Sequence, residues 1–175
     1  MKTKIYFFIL LFVLCGLASC GSSDRMGTAP VTGHYTYQHG WHYDILEGHV
    51  EVTESGTMDF NADGTALDSA CQVYTVALAE GDTVVITYNY ISPSLWRLEG
   101  NDFYFRGVDS LFSMETVDIR GNASVADELS RRFVSSVSGS IGRETKFILA
   151  DLSSDRLVWS YRYADGHCDT WLFER

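Results

Sequence analysis

The residues best equipped for chemistry in this 175-residue chain are five histidines, a run of alternating acids, four cysteines and 24 aromatic rings, as 4 Trp, 10 Tyr and 10 Phe. His34, His39, His42 and His49 lie close together, and His167 stands far along the chain. Clustered imidazoles suit zinc, which needs several ligands converging on one point. On extended backbone, however, His39 and His42 point to opposite faces, and neither a Cys nor a close pair of carboxylates completes a set at ligand spacing. The sequence therefore predicts an aromatic, polar strand pair in which Tyr35, Tyr37, Trp41 and Tyr43 pack and the histidines face water, without a metal. Asp59, Asn61, Asp63 and Gly64 copy the opening of a calcium loop, but Ala70 stands where that loop needs a bidentate Glu. With Met58 and Phe60 alternating into it, this segment reads as a hairpin turn.

Catalysis finds no good candidate. Ser136, Ser138 and Ser140 lack the Gly-x-Ser-x-Gly elbow of a nucleophilic serine. Neighbouring acids such as Asp44 with Glu47, and Glu51 with Glu54, read as a solvated face, so no enzyme and no cofactor is expected. The positive signal is aromatic. Tyr88, Tyr90, Trp96, Tyr104, Trp159, Tyr161 and Tyr163 combine flat apolar area with polar edges, which suits a ligand cavity, a protein-facing surface or simply a filled interior. Arg97, Arg106 and Arg162 lie among them and could hold an anionic head group or reach to water. With 13 basic against 23 acidic side chains, nucleic acid is not an expected partner.

The N-terminal end reads as an export signal over residues 1–19. Lys2 and Lys4 form a basic start, residues 5–14 an apolar stretch too short for the roughly 20 residues of a membrane span, and Leu17-Ala18-Ser19-Cys20 a cleavage box. That box resembles the lipobox of Gram-negative bacterial lipoproteins. The resemblance implies that Cys20 becomes the new N-terminus and carries acyl chains, anchoring the chain in the outer membrane, facing the periplasm or the cell surface. Residues 20–32 then form the lipidated Cys and a flexible tether rich in Gly, Ser, Asp and Pro, and residues 33–175 the globular domain. With Cys15 lost and Cys20 acylated, Cys71 and Cys168 are left in an oxidising compartment and are expected to pair as a disulfide.

Period-two alternation dominates the domain and predicts strands near 34–38, 43–47, 49–53, 57–60, 66–78, 83–90, 95–98, 102–106, 146–151, 156–163 and 169–173. Asp63-Gly64, Gly81-Asp82, Gly100-Asn101, Ser154-Asp155 and Asp165-Gly166 supply turns, so neighbours should pair as hairpins. From 124 to 138, Val125, Leu129, Phe133 and Val137 recur every four residues, predicting a helix that starts with Ser124 and Asp127 as a capping box and stops at Gly139. It should lie against the outside or one end of the sheet. Such a sheet tends to close because closure removes its edges. The fold class expected is all-β: an antiparallel up-and-down barrel of about eight strands with one flanking α-helix.

Gly33-His34-Tyr35, Met58-Asp59-Phe60-Asn61-Ala62-Asp63-Gly64-Thr65 and Trp96-Arg97-Leu98-Glu99-Gly100-Asn101-Asp102-Phe103 together resemble the lipocalin-like, or calycin-like, lipoproteins of Gram-negative bacteria. Tyr35 stands where those proteins often carry Trp. Two functions are expected of such a barrel: binding a small apolar or amphipathic ligand inside, or acting as a protein-interaction module, an accessory subunit of an envelope complex or an inhibitor. The second would use a filled barrel and the loops at 91–94 and 107–119, where Leu111, Phe112 and Met114 are apolar without an evident strand or helix to serve.

Overall fold

The computed structural model describes residues 31–175; the expected export signal, Cys20 and nearly all of the expected tether lie outside them. Nine strands and one helix follow in order: β1 (Gly33–Ile45), β2 (Gly48–Phe60), β3 (Thr65–Leu78), β4 (Thr83–Glu99), β5 (Asp102–Gly107), β6 (Ser113–Arg120), α1 (Ala123–Ser140), β7 (Thr145–Leu152), β8 (Arg156–Arg162) and β9 (Cys168–Glu174). All pairings are antiparallel. The cycle β1-β2-β3-β4-β5-β7-β8-β9 closes through β1 and β9, so eight strands form a barrel and β6 lies beside the first half of β4. The closing seam is short, pairing only Thr36 with Glu174 and Tyr37 with Phe173.

Runs expected as separate strands are continuous. β1 pairs with β2 without interruption from Gly33–Phe60 to Ile45–Gly48. Gly56 lets β2 continue where a break is predicted: a Cβ there would lie 2.4 Å from the Ser69 carbonyl oxygen and 2.6 Å from the Ala70 Cβ, so only glycine fits that approach. Residues 91–94, expected as a loop, belong to β4. Pro93 is tolerated there because its carbonyl accepts from Val108 N–H at 2.7 Å, and in extended backbone the absent N–H faces the same side. That side is where β4 exchanges one partner, β6 ending at the Ile91–Ser113 pair, for another, β5 beginning at Ser94–Gly107.

The expected loop at 107–119 contains a 3-10 turn (Asp109–Leu111) and most of β6. Its alternation is broken by a bulge: Thr87 pairs with Asp118 and Tyr88 with Thr116, leaving Val117 as the extra residue. The helix starts earlier than its sequence signals suggest. Asn122, not Ser124, is the N-cap, its side chain accepting from Val125 N–H at 3.4 Å, and α1 runs through Gly139 to Ser140. The left-handed residue beyond it is Gly142.

Two cores result. In the closed half of the barrel Tyr35, Phe60, Trp96, Phe103, Trp159 and Phe173 fill the interior. In the open half the inward residues Val50, Val52, Tyr74, Val84, Ile86 and Tyr88 meet Ala126, Leu129 and Phe133 of α1. The helix therefore covers the concave face at one end of the barrel rather than its outside, because the long strands carry apolar residues inward past the point of closure. Tyr88 donates to Ser130 Oγ at 3.1 Å and ties the two layers.

Cys71 and Cys168 are free thiols, which corrects the expected disulfide. Both fall on the outward phase of their strands, and β2 and β1 stand between β3 and β9 in the sheet. Three strand spacings amount to roughly 14 Å, whereas a bridge needs Cα atoms within about 7 Å. Cys71→Ser combined with Cys168→Ser is accordingly expected to cost less than about 1 kcal/mol in a urea titration; a native bridge would cost about 2–5 kcal/mol.

Candidate functional site

Three adjacent rows of inward-facing residues run across β1 to β4. The middle row is Tyr37, Gly56, Ala70 and Tyr90, in which two phenols flank two residues with little or no side chain. The rings meet over that gap, with their hydroxyl oxygens 3.1 Å apart. The row on one side reads His39, Glu54, Gln72 and Tyr88, and the row on the other Tyr35, Met58, Asp68 and Ser92. Glu54 and Asp68 thus approach the phenol pair from opposite sides, and both are buried, 9% and 8% exposed.

Their contacts are close. Tyr37 Oη lies 2.8 Å from both Glu54 Oε1 and Asp68 Oδ1; Tyr90 Oη lies 3.0 Å from Glu54 Oε1 and 2.8 Å from Asp68 Oδ2. Gln72 donates its amide to Glu54 Oε2 and accepts from Tyr74 at 3.1 Å. Proton counting is decisive here. Two phenols bring two protons to four phenol–carboxylate contacts, and an ionised carboxylate has none to give. A protonated Asp68 supplies a third. Burial, and then the charge of Glu54, pushes the Asp68 carboxyl up to about 7. Burial also holds Tyr37 and Tyr90 well above the usual phenol range, so both remain donors.

His39 stands beside Glu54 with its ring against Trp41 (5.5 Å) and Trp171 (4.3 Å), and its buried Nε2 has no hydrogen-bond partner. Burial lowers its pKa, opposed by Asp169 and Glu54.

A cavity of about 240 Å³ opens onto this cluster. Asp68, Gln72, Tyr90 and Ser92 line its barrel side, Phe105, Phe112 and Phe147 supply aromatic wall, and Val137, Ser140 and Ile141 come from the end of α1 and its cap. The approach of that cap to β5 is tight: a Cβ on Gly107 would lie 2.9 Å from Ile141 Cγ2.

Of the aromatic and arginine residues proposed from sequence, Tyr90 alone lines this cavity. Tyr88 is buried under α1, while Trp96 and Trp159 belong to the closed core. Trp96, Arg97, Tyr104 and Arg106 do come together around a depression of about 280 Å³, with Leu95 and Glu144. There Arg97 lies 3.8 Å from the Tyr104 ring centroid and is paired with Glu99 and Glu144, so its charge is already engaged. Tyr161 and Arg162 border another depression, beside Lys146. Tyr163 donates to Asp169 at 2.7 Å and stacks on His167. Arg97, Arg106 and Arg162 all occupy the outward phase of their strands, which keeps them from the interior. His34, His49 and His167 each pair with a nearby exposed acid, Asp59, Asp44 and Asp165. Asp63 accepts from Thr65 within its own turn, whose hydrogen bonds hold it below the usual carboxylate range.

The sequence pattern places Glu54 on a solvated face with Glu51, whereas the structure buries it beside the Tyr37–Tyr90 pair, with Asp68 on the other side. A usable signal was present: Val50, Val52 and Glu54 share one phase of β2, and Ala66, Asp68 and Ala70 one phase of β3, so each acid interrupts an apolar face. No known protein family matches the chain, and no curated protein matches it.

Proposed function

We propose that this protein is a lipid-anchored, lipocalin-like barrel of the Gram-negative cell envelope that binds a small amphipathic molecule without catalysis. The observation that carries the reading is a cavity with an aromatic wall and a buried polar floor, Asp68, Gln72, Tyr90 and Ser92, at the junction of barrel and helix. Its occupant is small, because the closed half of the barrel is filled by its own rings and about 240 Å³ remains at the junction. The lipobox resemblance at Cys20 supports the anchor and the outer-membrane location.

The test is native mass spectrometry of the purified full-length protein, paired with a tryptophan-fluorescence titration using 1-hexanol. Extra mass held only under native conditions, or saturable quenching by hexanol that Ser92→Phe abolishes, is the expected result. A bare native mass together with no saturable response would sink the reading.

A second reading, a protein-interaction module, is favoured by one feature. Leu111 and Val117 are 60% and 54% exposed on the segment containing β6, which pairs with β4 alone. An envelope protein partner would add to that strand or cover those side chains.

A further inference from the structure

We propose that a second copy of this chain adds to the free edge of β1, the two strands pairing antiparallel about a two-fold axis at Tyr43. The barrel closes only through Thr36–Glu174 and Tyr37–Phe173. Beyond that seam β1 runs on from Gln38 to Ile45, and among the described residues no strand pairs with it on that side. Its other side is bonded to β2 without interruption, up to the turn at Leu46 and Glu47 between Ile45 and Gly48. In such a hairpin the two residues flanking the turn exchange both backbone bonds. The odd-numbered residues of β1 therefore bond to β2, while Gly40, His42 and Asp44 aim their N–H and C=O groups at the open edge. No loop or side chain among the described residues takes up those backbone groups.

An edge of this kind is ordinarily guarded by a Lys, a Pro, a bulge or a covering segment. β6, whose outer edge is also free, obeys that rule, with the bulge at Val117 and the charges of Glu115, Asp118 and Arg120. From Gln38 to Ile45 there is no Pro, no Lys and no bulge, and the only formal charge is Asp44. The segment is complementary to itself instead. With the axis at Tyr43, His42 of each copy stands opposite Asp44 of the other, giving two imidazole–carboxylate contacts on the outward face. Asp44 Oδ1 already pairs with His49 Nδ1 at 2.7 Å, but the Asp44 side chain is 85% exposed, which leaves its other oxygen for the second copy. Trp41 stands opposite Ile45. Leu46, 95% exposed at the turn, stands opposite Gly40, where the missing side chain leaves room for it. Tyr43, 37% exposed, meets its own copy. The backbone agrees with this register: His42 and Asp44 exchange bonds across the axis, and Tyr43 falls at a pair that makes none. Moving the axis to His42 or to Asp44 keeps the backbone bonds but opposes like residues, so the side chains select Tyr43.

The experiment measures the mass of the full-length protein in a mild detergent by light scattering, throughout the micromolar range, for wild type and His42→Pro. Proline at 42 deletes an N–H that β2 does not use, so the ladder with β2 is kept while each copy loses a central donor at the edge. Wild type is expected to reach twice the chain mass, and the folded variant to dimerise at least about tenfold more weakly. Wild type that stays monomeric throughout overturns the proposal. A dimer that the folded proline variant leaves unchanged is built elsewhere, on β6 or the N-terminal segment, and overturns it too. Should His42→Pro not fold, Tyr43→Cys decides. A non-hydrogen-bonded antiparallel pair sets its Cα atoms about 4.5 Å apart, within disulfide reach. Oxidation is then expected to yield a covalent dimer beyond whatever Cys71 and Cys168 yield in the wild type, and its absence sinks the proposal.

Discussion

Trp159→Ala is expected to cost about 3–5 kcal/mol of stability, a large part of the roughly 5–15 kcal/mol that a domain possesses. Trp159 is the hub of the closed half. Its ring lies 4.8 Å from Phe103, stacks on Phe147 at 4.8 Å and meets Phe173 edge-on at 4.5 Å, with Phe60 and Phe105 at 6.0 and 5.8 Å. These contacts join β2, β5, β7, β8 and β9, including strands on both sides of the short β1–β9 seam. Alanine would leave a void bordered by rigid rings that cannot collapse into it, and each lost aromatic pair adds about 0.5–1.5 kcal/mol beyond the buried area. In thermal unfolding the midpoint should fall by roughly 10 °C or more. Trp159→Phe should recover most of the loss, because Phe also fills the ring stack and leaves no unpaired N–H. A midpoint within about 2 °C of wild type for the alanine variant would show that the closed half does not depend on this ring.

The second large effect is a dependence of stability on pH set by Asp68. Its carboxyl is raised in the folded protein from 3.8 to about 7 by burial and the neighbouring Glu54. The folded state therefore holds a proton that the unfolded chain has released, and wherever that is so stability declines as pH rises. The contribution is complete below about pH 4 and is lost as pH rises through about 7, amounting to as much as about 4 kcal/mol. Asp68→Asn should remove the decline, since its amide can donate to a phenol oxygen as the protonated acid does and cannot ionise. Urea titrations of wild type and variant from pH 4 to 9 isolate the effect from surface acids common to both. The expected outcome is a difference that grows towards high pH in favour of the variant. Parallel curves would mean that Asp68 is ionised throughout and that the third proton of the cluster comes from elsewhere.

Asp155 and Asp165 shift in the opposite sense to Asp68: each is held below the usual carboxylate range by hydrogen bonds within its own turn.

Strand content, hairpin turns and the amphipathic helix were legible from the amino-acid order because each rests on neighbours in sequence. Leu157 and Trp159 face inward and Arg162 outward as their alternation requires. Asp63-Gly64 turns the chain between β2 and β3 through Asn61 and Thr65, and Leu129 and Phe133 form the buried stripe of α1. Where local pattern failed, a local irregularity explains it: the extra Val117 shifts the phase of β6, and Pro93 reads as a break until the partner exchange of β4 is seen.

What tertiary structure alone decided is which distant residues share a point in space. Strand order and closure put β2 and β1 between Cys71 and Cys168, and no count of cysteines contains that separation. Register alone sets Tyr37, Gly56, Ala70 and Tyr90 in one row, so that two phenols reach over two small residues and draw Glu54 and Asp68 together. A side chain's phase is written in its own strand, but a slip of one residue between strands would send these acids to opposite faces of the sheet. The sum of packing across all eight strands fixes that register, and with it the site.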